Sequence, residues 1–186
     1  MGQTHHVATT WASGMVITAA RLNNLEAQYA EAVANFPACQ IGTFYRNGDV
    51  GVGANSDQTI NWTEETDDDA VFSVSGAYVL LPGAGLYSVL LRTTWQNFGA
   101  SSKTGEAKIQ LYDSTPTLKA TLDTRGIQST NGFGLSILNF ATFHVPSTIT
   151  GPRTVVTVRN SASPGGGTLT GSTSATWLHF VRWNRA

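Results

Sequence analysis

The chain has one cysteine, Cys39, in 186 residues. A lone thiol closes no internal disulfide and builds no zinc cluster. Charge is also scarce: Asp, Glu, Lys and Arg make up 12% of the residues, about half the usual share of about 25%. The formal net charge is -1, so no overall field draws the chain to nucleic acid or to an anionic membrane. No apolar run approaches the roughly 20 residues that span a bilayer as a helix, so no membrane insertion is expected. The start lacks a basic stretch followed by an apolar one, so no secretory signal is expected either.

What replaces charge is Gly, Ser, Thr and Asn, while apolar content is 41%. That profile suits a β-rich protein with hydroxyl and amide surfaces, or one that hides much of its surface in an assembly. The few charges are unevenly placed. Glu64, Glu65, Asp67, Asp68 and Asp69 cluster, and no acid follows Asp123, whereas Arg125, Arg153, Arg159, Arg182 and Arg185 do. Scattered solvated charges and charge complementarity between subunits are both open readings.

The best-defined stretch is 82–95. Gly83 and Gly85 supply a turn, and a strand follows. Tyr87, Val89, Leu91, Thr93 and Trp95 share one face, which should enter a core. Leu86, Ser88, Leu90, Arg92 and Thr94 share the other, as in a strand partly covered by a neighbour or another subunit. Ahead of it, residues 1–17 are polar and irregular. Thr18 fits a helix N-cap, with Ile17 and Leu22 spaced as a hydrophobic staple. A helix is expected from about 19 to 35, ended by Pro37. Leu22, Leu25, Tyr29, Ala32 and Phe36 step by 3, 4, 3 and 4, a heptad seam too short to hold a coiled coil alone. Packing on its own domain and a neck where several copies meet are both open.

From residue 40 the pattern is β. Strands are expected at 41–45, 50–53, 59–62, 71–74, 78–81, 85–95, 106–112, 118–124, 135–145, 154–159, 168–170 and 175–183, with 64–69 and 125–134 as loops. Leu135 to Val145 is partly apolar on both faces. The last strand carries Leu178 and Phe180 on one side and Trp177, Val181 and Trp183 on the other, so it belongs in mid-sheet. Short strands at this spacing indicate an antiparallel sandwich or jelly roll.

No acid/base or nucleophile constellation is visible, so no catalytic residue, cofactor or metal is expected. His144 and His179 alternate with apolar neighbours and read as core or interface residues. Asp67-Asp68-Asp69 lacks the spacing of a Ca²⁺ loop. Trp62, Trp95, Phe98 and Phe133 fall near expected loops or strand ends. Within them Trp95, Gln96, Asn97 and Phe98 form the candidate sugar-stacking cluster, against the alternative of plain packing.

Ile60–Trp62, an acidic stretch, Phe72, Gly85-x-Tyr87 and an aromatic closing strand occur in an order that resembles the jelly roll of the tumour-necrosis-factor and complement-globular-head superfamily. That resemblance covers about residues 40–186. It implies an all-β, antiparallel jelly-roll β-sandwich, preceded by one short N-terminal α-helix, in a homotrimer. Thr10 to Glu26, with Trp11, Gly14, Ile17-Thr18-Ala19 and Leu22-Asn23-Asn24-Leu25-Glu26, resembles a mounting segment of tailed-bacteriophage virion proteins. Together these imply an anchoring arm at 1–17 that uses Trp11, Met15 and Ile17. A helical neck at 18–36 and a β-knob at 40–186 would follow. The expected role is a virion surface protein made in the host cytoplasm and bound to the major capsid protein or another particle component. Brevity favours capsid decoration or a short head fibre. The alternative is a tail-fibre or baseplate protein that recognises a host cell-surface glycan.

Overall fold

Thirteen strands form among the residues that the computed structural model describes, which are 18, 23, 26, 27, 39–67, 71–96, 103–129, 135–160 and 167–183. They are β1 (Gln40–Tyr45), β2 (Val50–Val52), β3 (Asp57–Thr59), β4 (Thr63–Asp67), β5 (Ser73–Ser75), β6 (Tyr78–Leu80) and β7 (Gly85–Gln96). Then come β8 (Lys103–Tyr112), β9 (Leu118–Ser129), β10 (Leu135–Val145), β11 (Arg153–Asn160), β12 (Gly167–Leu169) and β13 (Trp177–Arg182). The chain divides into two compact units, Met1–Pro37 and Ala38–Ala186. In the first, Asn23, Glu26 and Ala27 are helical and exposed. The expected anchoring residues Trp11, Met15 and Ile17 and the expected neck residues Leu22, Leu25, Tyr29, Ala32 and Phe36 lie outside the described residues.

In the second unit β7 is the central element. Gly83 (φ 133°) and Gly85 (φ 152°) make the turn that launches it, in backbone that only glycine enters easily. One edge of β7 pairs antiparallel with the whole of β10, from Val145 opposite Gly85 to Leu135 opposite Trp95. The other edge is shared by β13, opposite residues 87–92, and by β12, opposite Trp95 and Gln96. β1 and then β4 extend that sheet beyond β13, and β2 pairs β12. The second sheet runs β5-β6-β11-β8-β9, with β3 on the far half of β11. Every strand pair is antiparallel. The closing strand β13 sits between β7 and β1, in mid-sheet as its two-sided apolar pattern requires.

The inward row of β7, Tyr87, Val89, Leu91, Thr93 and Trp95, is fully buried. It meets Ala107, Ile109, Val156 and Val158 of the facing sheet within one core. Phe44, Phe72 and Phe180 close one part of that core, with ring centroids 5.8 to 6.4 Å apart. Asn139, fully buried, bonds through Nδ2 to the Ala107 carbonyl at 3.1 Å and so ties β10 to β8. Asp113 shapes the β8–β9 turn: its carboxylate accepts the Thr115 and Thr117 amides at 2.9 and 3.0 Å and sits 2.7 Å from Lys119 Nζ. Those bonds hold its pKa well below the usual carboxylate range, the Lys119 contact most of all.

Three local expectations need correction. Residues 63–67 are not a loop but strand β4, an edge strand paired to β1. An edge strand needs no apolar face, and exposed acids such as Glu64 and Glu65 discourage further pairing. The strand expected at 59–62 ends at Thr59, and Ile60 and Trp62 reach the core from outside any strand. β9 continues to Ser129 through residues expected to be loop, because β8 supplies a full-length partner.

Candidate assembly face

Register decides which side chains of the seven-stranded sheet meet on its outer face. Opposed residues point to the same side. One row across β10, β7, β13 and β1 is therefore Leu138, Arg92, Trp177 and Tyr45. The next is Phe140, Leu90, His179 and Thr43, and the third is Thr142, Ser88, Val181 and Ile41. Beyond lie His144 and Leu86, with Trp183 beside them through its amide bond to the Leu86 carbonyl. All lie opposite the buried rows, so they face outward. Leu138 and Phe140 are 59% and 58% exposed, and Trp183, Ile41, Leu86 and Leu90 are also open.

Trp183, Ser88, Thr142, His179 and Thr43 find polar partners within this face. Trp183 Nε1 donates to Ser88 Oγ at 2.9 Å, and Ser88 Oγ lies 2.9 Å from Thr142 Oγ1. His179 Nδ1 is 2.8 Å from Thr43 Oγ1, and its ring meets Trp177 edge-on at 4.6 Å. Burial pushes the His179 pKa below the ordinary imidazole value, partly opposed by Glu65. Arg92 is half-buried, and its side chain forms no hydrogen bond or ion pair in the structure. Glu65 on β4 is exposed and forms no ion pair.

The opposite outer face has another character. Lys108 Nζ lies 2.8 Å from Glu106 and 3.9 Å from Asp57, and Arg153 stacks over the Tyr78 ring at 4.8 Å. Thr157, Gln110 and Arg159 surround them. These charges are dressed for water. An open cleft of about 370 Å³ on this side is lined by Thr104, Gly105, Glu106, Gly126 and Arg159.

Of the sugar-stacking cluster expected at 95–98, Trp95 and Gln96 are described, and Trp95 does not take the expected place. Trp95 is fully buried, with Nε1 donating to Thr93 Oγ1 at 3.3 Å. Its ring is core, so it offers no surface for a ligand. Gln96 is exposed and bonds to the Thr170 hydroxyl, while Asn97 and Phe98 lie outside the described residues. Trp62, expected near the surface, is also buried. Asp67 accepts the Phe72 amide at 2.8 Å, a local structural bond. Among the described residues no group of three His, Cys, Asp or Glu side chains could hold a metal ion. Leu138, Phe140, Leu86, Leu90 and Trp183 were not singled out as a site from sequence. The available signal was the mixed outer pattern of β7 and the two-sided apolar pattern of β10.

No family model matches the chain, and no curated protein matches it. Among solved structures, murine APRIL at pH 5.0 superposes with a TM-score of 0.61 at 14% identity, covering 77% of this chain and 98% of that one. Eiger TNF from S. frugiperda gives 0.58 at 16% identity, covering 78% and 93%. Strand order, layer arrangement and these likenesses agree: the described residues between 40 and 183 fold as a TNF-like jelly-roll β-sandwich.

Proposed function

We propose that the chain is a homotrimeric surface protein of a tailed-bacteriophage virion, assembled through the outer face of the seven-stranded sheet. Its N-terminal segment would mount it on the major capsid protein or another particle component. The observation that carries the assembly is the apolar face itself. Strands about 4.8 Å apart and rows about 7 Å apart make four strands by four rows roughly 20 Å by 25 Å in projection. Monomers rarely expose contiguous apolar patches beyond a few hundred Å². The contrast with the charged opposite sheet supports the same choice of side. The virion role is supported by the resemblance of Thr10 to Glu26 to phage mounting segments, with capsid decoration or a short head fibre preferred.

Light scattering on the purified chain tests the assembly. The expected mass is three times 19.8 kDa, and Phe140→Glu with Leu138→Glu should give a folded monomer. A native chain that stays monomeric at high concentration would sink the reading. Deleting residues 1–17 should leave a soluble trimer that no longer joins the particle, and normal incorporation of that truncation would refute the mounting role.

A further inference from the structure

We infer that Arg92 of each copy is paired, across the subunit interface, with Glu65 of the partner subunit. The inference rests on the assembly reading above. Arg92 is the formally charged cation on the apolar face, set between Leu138 of β10 and Trp177 of β13. It is half-buried in the single chain and lacks an intrachain partner. Covering the face with a second copy removes the remaining water from the guanidinium. A charge left buried and unpaired costs more than its contacts return, so a carboxylate has to meet it.

Among the described residues no carboxylate pairs with Arg92, and Asp123, which reaches the β10 edge at the Phe140 amide, is already paired with Arg125 at 3.2 Å. Among the described outer-face residues of β10, β7, β13 and β1 there is no acid. The nearest strand of the same sheet with free acids is β4, beyond β13 and β1. Three strand spacings put its backbone about 14 Å from Arg92. On β4, Glu64 lies opposite the inward Phe44 and Asp67 is bonded to the Phe72 amide. Glu65 sits at the bulge between those registers, in the electrostatic range of the outward His179, and has no ion partner. One copy therefore offers an unmatched cation near the β10 side of the face and an unmatched carboxylate at the β4 edge. A neighbour displaced across the face satisfies both, and a pairing between two different patches closes into a ring when its rotation is a third of a turn.

The experiment is a charge-reversal cycle on the full chain, read as the assembly dissociation constant by light scattering and sedimentation, with circular dichroism to confirm folding. Arg92→Glu and Glu65→Arg should each weaken assembly about tenfold or more, and the double variant should return to within about threefold of the native chain. Single variants that assemble like an assembled native chain, or a double variant no better than the worse single one, would overturn the pairing while leaving the assembly intact. A monomeric native chain would overturn the assembly reading and the pairing with it. Arg92→Met serves as a second probe: it should lower the salt sensitivity of assembly, and unchanged salt dependence would count against the pair.

Discussion

At the scale of single residues, position in the register matters more than residue type. Trp95 shows this: in the sequence it stands beside a polar loop, where an aromatic ring looks available to a ligand. The period-2 row from Tyr87 to Trp95 implies the opposite, and the structure follows the period, with all five residues fully buried. Trp95→Ala should therefore destabilise the fold by about 3–5 kcal/mol, the usual loss for a buried Trp truncation. Urea denaturation measures it, and a loss under about 1 kcal/mol would mean the ring is not core. His179 provides a pH test. Its pKa is lowered, chiefly by burial, so the folded chain favours the neutral ring. The unfolded chain then binds more protons near the ordinary imidazole pKa of about 6.5, and stability rises with pH. Stability should be full above that pH and fall as the solution is acidified through it. Glu65 opposes the shift in part, and Leu90, Thr43, Trp177 and Val181 bring no charge to the ring. His179→Gln should flatten the dependence between pH 8 and 5.5 in denaturation midpoints, and an unchanged slope would assign it to other groups.

At the scale of elements, legibility followed the apolar alternation. β7 and β13 could be read because one face of each is continuously buried, and β13 could be placed in mid-sheet because both faces carry large groups. β4 could not be read: an edge strand of Thr, Glu and Asp has no buried face, and its order comes from pairing to β1. The assembly face was legible only as hints. Leu138 and Phe140 become neighbours of Arg92 and Leu90 through a pairing between segments about fifty residues apart, which no local pattern specifies. Loop packing is equally invisible in sequence, and Gly171 is the sharpest case. A Cβ there would lie 2.0 Å from the Gly48 carbonyl oxygen and 2.3 Å from its carbon. The Gly171 amide also bonds Asp49 Oδ1 at 2.9 Å, which locks the 46–49 turn against the segment before β13. The obstacle is backbone, so it cannot swing away. Gly171→Ala should cost about 3 kcal/mol, at the upper end of overpacking losses. A denaturation midpoint equal to that of the native chain would show that the two turns do not touch.

At the scale of the whole molecule, the two sheets divide the work. One outer face spends its side chains on ion pairs with each other and with water, and the other keeps aromatic and aliphatic groups open. If three copies cover that second face, folding and assembly are linked, and stability becomes a function of concentration. The size of the effect identifies the stoichiometry. For a trimer that unfolds to three separate chains, the equilibrium constant carries the square of the concentration. A tenfold rise in protein then adds two units of about 1.4 kcal/mol per trimer, or about 0.9 kcal/mol for each chain. A dimer would gain about 0.7 kcal/mol per chain and a monomer nothing. Urea midpoints measured over a hundredfold range of concentration separate these cases, since the trimer then gains about 1.9 kcal/mol per chain. Substitutions on the charged sheet, such as Lys108→Gln, should leave that concentration slope intact, whereas Phe140→Glu should abolish it. A midpoint independent of concentration in the native chain, or a slope lost equally from both sheets, would show that the open apolar face is not where copies of this chain meet.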